Sequence, residues 1–176
     1  MESVMRRPRY FLNTILGVVI AAGCSSTPSE SVQEQPPVQA GLVKGLLFAN
    51  CPNAPSFDVR KNIGTAGGTL NMGPHTLVIP AGALSRTVEI RAKSSNSGPG
   101  KGNGIEFRPE GLRFSKAVRL TISTANCSGL GLLNLPLIVY TDDLWNILEL
   151  QLSVPNLFEK EVTGFVTHFS RYAVAY

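Results

Sequence analysis

The chain predicts an all-β fold: a single β-sandwich set behind an export signal and a tether. Three observations predict it. From residue 64 to residue 176, apolar residues recur at every second position over short stretches. Gly, Pro, Asn and Asp punctuate those stretches, and none of them repeats apolar residues at helical spacing. Of 176 residues, the part left after signal and tether is enough for one domain with one hydrophobic core and too short for a second.

The first segment, 1–23, has a basic start in Arg6, Arg7 and Arg9 and then a mostly apolar run over 11–22. That run contains Asn13 and Thr14 and is well short of the roughly 20 residues that span a bilayer, so it reads as a secretion signal. Ala21, Ala22 and Gly23 directly before Cys24 resemble the bacterial lipobox, with Ala21 where Leu is usual. The resemblance implies a mature chain starting at Cys24, with a diacylglyceryl group on its thiol and a further palmitate-type acyl chain. At roughly 0.8 kcal/mol per buried methylene, two or three such chains hold a protein to a bilayer almost permanently. Ser25, in place of Asp, implies the outer membrane of a bacterial cell envelope. The alternative is an ordinary secretory signal cleaved nearby, with Cys24 an incidental thiol.

Residues 24–40 form the lipidated cysteine and a tether of Ser, Thr, Pro, Glu and Gln, too polar to offset the entropy of ordering. Residues 41–63 read as an N-terminal arm, in which Leu42, Val43, Leu46, Leu47 and Phe48 turn apolar before Cys51 and Pro52. The sandwich domain is expected over 64–176.

Within it, Gly67 to Leu70 and Thr76 to Ile79 read as short strands, the second stopped by Pro80, with Gly82 supplying a turn. Val88, Ile90 and Ala92 alternate with Glu89, Arg91 and Lys93, which predicts one buried and one wet face. Residues 94–104 are glycine-rich and lack the Lys-Ser or Lys-Thr end of a phosphate loop, so they read as a mobile surface loop and a plausible contact site. Ile105 with Phe107, Leu112 with Phe114, and Val118, Leu120 and Ile122 read as three strand pieces. Residues 137–141 suit a strand buried on both faces, Asp142 and Asp143 turn the chain into a strand over 145–152, and 161–167 and 169–176 supply the last two.

The charge of +4 falls to about +2 once the signal is removed, and Arg86, Arg91, Arg108, Arg113, Arg119 and Arg171 are scattered singly. Nucleic acid is therefore not an expected partner. With Cys24 assigned to lipid, Cys51 and Cys127 remain as one pair in an oxidising compartment, which predicts a disulfide; two separate buried thiols are the alternative. His75 and His168 have no Cys, His or carboxylate at zinc-site offsets, and no metal or cofactor is expected. Asp142 and Asp143 read as a solvated turn more readily than as calcium ligands, and Tyr140 and Trp145 as packing residues.

Several of these segments together resemble the ZU-five domain, found in zonula occludens proteins, uncoordinated-five netrin receptors and ankyrins. Gly67, Gly68, Thr69 and Leu70 resemble its opening strand, and the run Leu77, Val78, Ile79, Pro80, Ala81, Gly82, Ala83, Leu84 its Ile-Pro-x-Gly-Ala-Leu core. Phe107, Pro109, Gly111, Leu112 and Phe114, followed by Val118, Leu120 and Ile122, resemble its middle hairpin. His168, Phe169, Ser170, Tyr172, Ala173 and Val174 resemble its closing strand. The resemblance implies a β-sandwich and a tendency to act as an interaction module. The stretch carries neither the companion domain nor the death domain of the animal relatives, so their signalling and spectrin binding are not expected here.

The same resemblance singles out His168, Phe169 and Ser170, because some ZU-five domains break their own chain at a Phe-Ser bond in a His-Phe-Ser sequence. Ser170 Oγ would attack the Phe169 carbonyl with His168 as base, and water would hydrolyse the ester. On a regular strand, residues two apart sit roughly 6.5 Å apart, so this chemistry requires a bulge or strain at Phe169. The alternative is that His168 and Ser170 are ordinary strand residues. No other catalytic set is present: there is no Gly-x-Ser-x-Gly elbow, and Asp58, Asp142 and Asp143 have no evident partners. The expectation is a non-catalytic module on a lipid anchor, with the bilayer bound through acylated Cys24 and an unknown envelope protein or other ligand as partner.

Overall fold

The computed structural model describes residues 45–95, 98–99 and 101–176. The signal, Cys24 and the tether lie outside the described residues.

Two antiparallel sheets make the fold, as the alternation predicts. The six-stranded sheet runs, in spatial order, β1 (Asp58–Ile63), β4 (Val88–Ser94), β5 (Ile105–Arg108), β11 (Arg171–Ala175), β7 (Leu137–Thr141) and β8 (Ile147–Leu150). The five-stranded sheet runs β2 (Gly68–Met72), β3 (His75–Ile79), β6 (Arg113–Ser123), β10 (Glu161–His168) and β9 (Ser153–Asn156). Period-two patterning turns Ile90, Ala92, Ile105, Phe107, Ile138, Tyr172 and Val174 of the first sheet inward against Leu70, Met72, Leu77, Ile79, Val118, Leu120, Ile122, Val162 and Val166 of the second. The sheets approach closely at Gly164, where a Cβ would stand 2.9 Å from Ile138 Cδ1.

Several local expectations hold. β2 and β3 form a hairpin, Pro80 follows β3, and Gly82 takes φ +76° while its N–H donates to Thr65 O at 2.8 Å. Ile138 and Val139, neighbours on β7 that face opposite ways, are both fully buried. Val139 does this under a second small cluster on the outer face of its sheet, where Leu46, Phe48, Trp145, Ile147 and Leu150 cover it with Ala173 and Ala175.

Other expectations need correction. Leu112 lies just before β6, and Phe114 and Val118 to Ile122 share that one long strand. β5 and β6 belong to different sheets, so the middle segment crosses the sandwich and is not a hairpin. The strand expected over 145–152 shortens to Ile147–Leu150 because Asp142 binds the amides of Leu144 and Asn146 and holds the preceding residues in a turn. Residues 58–63, read with the arm, form edge strand β1 on β4, tied by a bidentate pair between Arg91 and Asp58. The glycine-rich loop is pinned at its far end: Asn103 is buried, and its amide bonds Ala49 O, Val174 O and the Val174 N–H. The arm runs antiparallel to the end of the interior strand β11, with Leu47 and Tyr176 exchanging backbone bonds at 2.9 Å in each direction and Ala49 N–H reaching Val174 O at 2.9 Å.

Candidate functional site

His168, Phe169 and Ser170 do not lie together on a strand. His168 ends β10 in the five-stranded sheet and Arg171 starts β11 in the six-stranded sheet, so Phe169 and Ser170 form the corner where the chain crosses between sheets. The corner forms because Phe169 is a core residue: fully buried, it stacks on Phe107 at 4.9 Å between ring centres and meets Phe114 edge-on at 4.8 Å.

Its backbone is saturated with partners. Phe169 N–H donates to Leu112 O at 2.8 Å, Gly111 N–H donates to Phe169 O at 3.0 Å, and Phe107 N–H donates to Ser170 O at 3.0 Å. Tyr172 Oη donates to His168 O at 2.6 Å, four residues upstream, in the manner of the tyrosine corner of Greek-key sandwiches. Burial pushes the Tyr172 hydroxyl well above its ordinary value and keeps it the donor.

For self-cleavage, some elements are present and the contact between base and nucleophile is not. Gly111 N–H polarises the carbonyl that Ser170 would attack, and a groove of about 290 Å³ lined by Glu110, Arg113, Tyr140 and His168 reaches Ser170, with room for water. No hydrogen bond joins the side chains of His168 and Ser170; His168 instead meets the Tyr140 ring edge-on at 5.0 Å. The required irregularity exists as a register break between Val166 and His168 against β6, but positive φ at non-glycine residues falls at Trp145 and Lys160, not at Phe169.

Beside the corner, a charged cluster closes this end of the sandwich. Arg171 reaches Asp143 at 3.0 Å, Glu106 at 3.5 Å and Asp142 O at 3.0 Å, and its guanidinium lies 5.2 Å from the centre of the Trp145 ring. Arg108 bridges Glu106 and Glu110 at 2.6 Å each. Burial raises the Glu106 carboxyl, and Arg108 and Arg171 together outweigh it and hold the group below its ordinary value. Asp142 is held down first by the Asn146 side-chain amide at 2.7 Å, which accounts for it as a turn former.

Cys51 and Cys127 form a disulfide, closing a sequence separation of 76 and tying the arm to the loop after β6. Sequence reasoning passed over Asn103 and the Tyr172 hydroxyl, because an Asn among glycines reads as a turn and a Tyr on a strand as packing. Among the described residues no three His, Cys, Asp or Glu side chains come together as metal ligands.

No protein-family model matches the chain, and no curated protein matches it significantly.

Proposed function

We propose that this protein is an exported lipoprotein, held to the bacterial outer membrane by acyl chains on Cys24, whose sandwich acts as a non-catalytic binding or structural module of ZU-five type. The observation that carries this is the pairing of Cys51 with Cys127, which leaves Cys24 as the remaining one of three cysteines, directly behind Ala21, Ala22 and Gly23. A disulfide also fits an exported chain. The test is mass spectrometry of the N-terminal peptide after expression in a lipoprotein-processing bacterium. The expected result is an acylated Cys24 and a chain in the outer-membrane fraction, with Cys24→Ser leaving it soluble. An unmodified Cys24 in the membrane-free fraction sinks the anchor, and turnover of an external substrate by the pure protein sinks the non-catalytic role.

A second reading is favoured by the contact of Gly111 N–H with Phe169 O and by the solvent groove beside it. Ser170 Oγ would add to the Phe169 carbonyl carbon, the Phe169-Ser170 amide bond would break to free the Ser170 amine, and water would split the ester. Denaturing intact-mass measurement separates the two. Loss of residues 170–176 in the unmutated chain but not in Ser170→Ala establishes processing, and full-length masses in both leave the module.

A further inference from the structure

The end of the sandwich opposite the charged corner carries large apolar side chains facing solvent. Leu132 is 85 % exposed and Leu133 98 % in the loop after β6, and Phe158 is 96 % exposed in the turn between β9 and β10. The two turns are neighbours: Thr124 N–H donates to Lys160 O at 2.6 Å, and a hollow of about 300 Å³ between them is lined by Thr124, Cys127, Leu130, Leu157 and Lys160. Exposed apolar clusters of this kind mark contact sites on soluble domains.

Both turns are built to hold these side chains out. Gly131 and Asn134 exchange backbone hydrogen bonds at 3.1 Å in each direction, closing a tight turn with Leu132 and Leu133 at its tip. Asn134 Nδ2 donates to Gly129 O at 2.9 Å, Ser128 N–H donates to Asn50 O at 2.9 Å, and the Cys51–Cys127 disulfide fastens the base of the loop. In the other turn, Asn156 Oδ1 accepts from the amides of Phe158 and Glu159 at 3.2 and 3.1 Å, and Lys160 adopts φ 52°. Residues 124–136 contain no ionisable side chain, so seating the Leu132–Leu133 tip in an apolar phase would strip no charge of water, while exposed Glu159 and Lys160 beside Phe158 hold that turn at the polar boundary of the interface. The backbone groups of Gly131 and Asn134 that close the turn are already bonded and would lose no partner on entering an apolar medium.

The occupant is indicated by where the chain enters. Leu47 pairs with Tyr176, and Gly129 packs against the Tyr176 ring, so the described domain begins at Gly45 beside this same end. Sequence upstream of Gly45 leads back to Cys24. We propose that Leu132, Leu133 and Phe158 insert into the bilayer interface, seating the domain on the membrane with its charged corner facing away. This rests on the lipid anchor proposed above. Leucine and phenylalanine at convex tips are the side chains that interfacial insertion uses, to a depth of about 5–10 Å.

The test uses the full-length lipidated chain in vesicles of phosphatidylethanolamine and phosphatidylglycerol, with and without brominated acyl chains that quench tryptophan. Three variants each add one tryptophan: Leu133→Trp, Phe158→Trp and, at the opposite end where Leu144 is 82 % exposed, Leu144→Trp. The expected result is at least a two-fold loss of the added fluorescence for the first two and none for the third. Adding Leu132→Asp and Leu133→Asp to the Phe158→Trp chain should restore its signal. Flotation of the vesicles is read in parallel. A chain that floats with unquenched tips, or with all three positions quenched alike, overturns insertion and leaves the anchor. A wild-type chain that does not float overturns both. Unquenched tips together with a dimer that Leu133→Asp dissociates make the end a contact between copies, which also overturns insertion.

Discussion

The two ends of the sandwich solve opposite problems. At the 168–171 corner, Arg108 and Arg171 bridge Glu106, Glu110 and Asp143 into one cluster and the aromatic side chain, Phe169, is driven inside; at the 124–136 end, charges are missing from the loop and Leu132, Leu133 and Phe158 are held outside. Both ends are rigidly tied, one by Tyr172 and Gly111, the other by a disulfide and two closed turns. The difference shows that exposure of the leucines is not slack in the fold: the same chain that buries Phe169 completely spends hydrogen bonds on keeping Leu133 in solvent.

Breaking the corner should have the largest effect. Phe169→Ala removes a ring packed between Phe107 and Phe114 and should cost about 3–5 kcal/mol in denaturant unfolding. At the other end, replacing Cys51 and Cys127 by alanine should cost on the order of 4 kcal/mol by loop-closure entropy over a separation of 76. Amide exchange should then rise throughout the core by the global stability lost and rise further across 128–134 through local opening; an equal excess at 169–172 would mean the ends are not independent.

His75 gives the same end a pH signature. Burial pushes its imidazole down from 6.5 to about 4, and its Nδ1 accepts the Ser123 N–H at 3.0 Å. Between these values the unfolded chain binds the proton and the folded chain does not. This contribution is therefore fully present above pH 6.5 and is lost as the pH falls towards 4, a total of about 3 kcal/mol. The stability profile of His75→Gln should be flatter than wild type over that window, and an identical slope would remove His75 as the cause. Tyr172→Phe should cost about 1–2 kcal/mol through its bond to His168 O, read as a shift in the denaturant midpoint at unchanged slope. The smallest effect sharpens the contrast most: Leu133→Asp should change stability by less than about 0.5 kcal/mol, because the side chain contributes almost no buried area. A large loss would mean that Leu133 belongs to the core.

Much of the fold is legible in the residues. Alternation at Ile90 and Ala92, the unbroken run over 137–141 and the Ile79-Pro80 stop with Gly82 each report a local backbone preference, and the strands form there. Cysteine arithmetic reached the Cys51–Cys127 bond. The candidate site was legible only in part. His168, Phe169 and Ser170 stand together in sequence, but whether they share a strand depends on which sheet each neighbour joins, and alternation is the same on either sheet. The apolar end was missed for a similar reason: Leu132 and Leu133 look like any core leucines until a turn places them outside.

By itself, then, the sequence determined the all-β class, the turn at Pro80 to Gly82 and the cysteine pair, because strand periodicity, left-handed glycine and proline's missing N–H act within a few residues. Only the tertiary structure decided that β5 and β6 part company, that Asn103 is buried, that Phe169 is a corner between sheets and that one end of the molecule is apolar. Each of these depends on contacts between segments far apart in the chain, where the burial of one side chain is set by what another segment leaves uncovered.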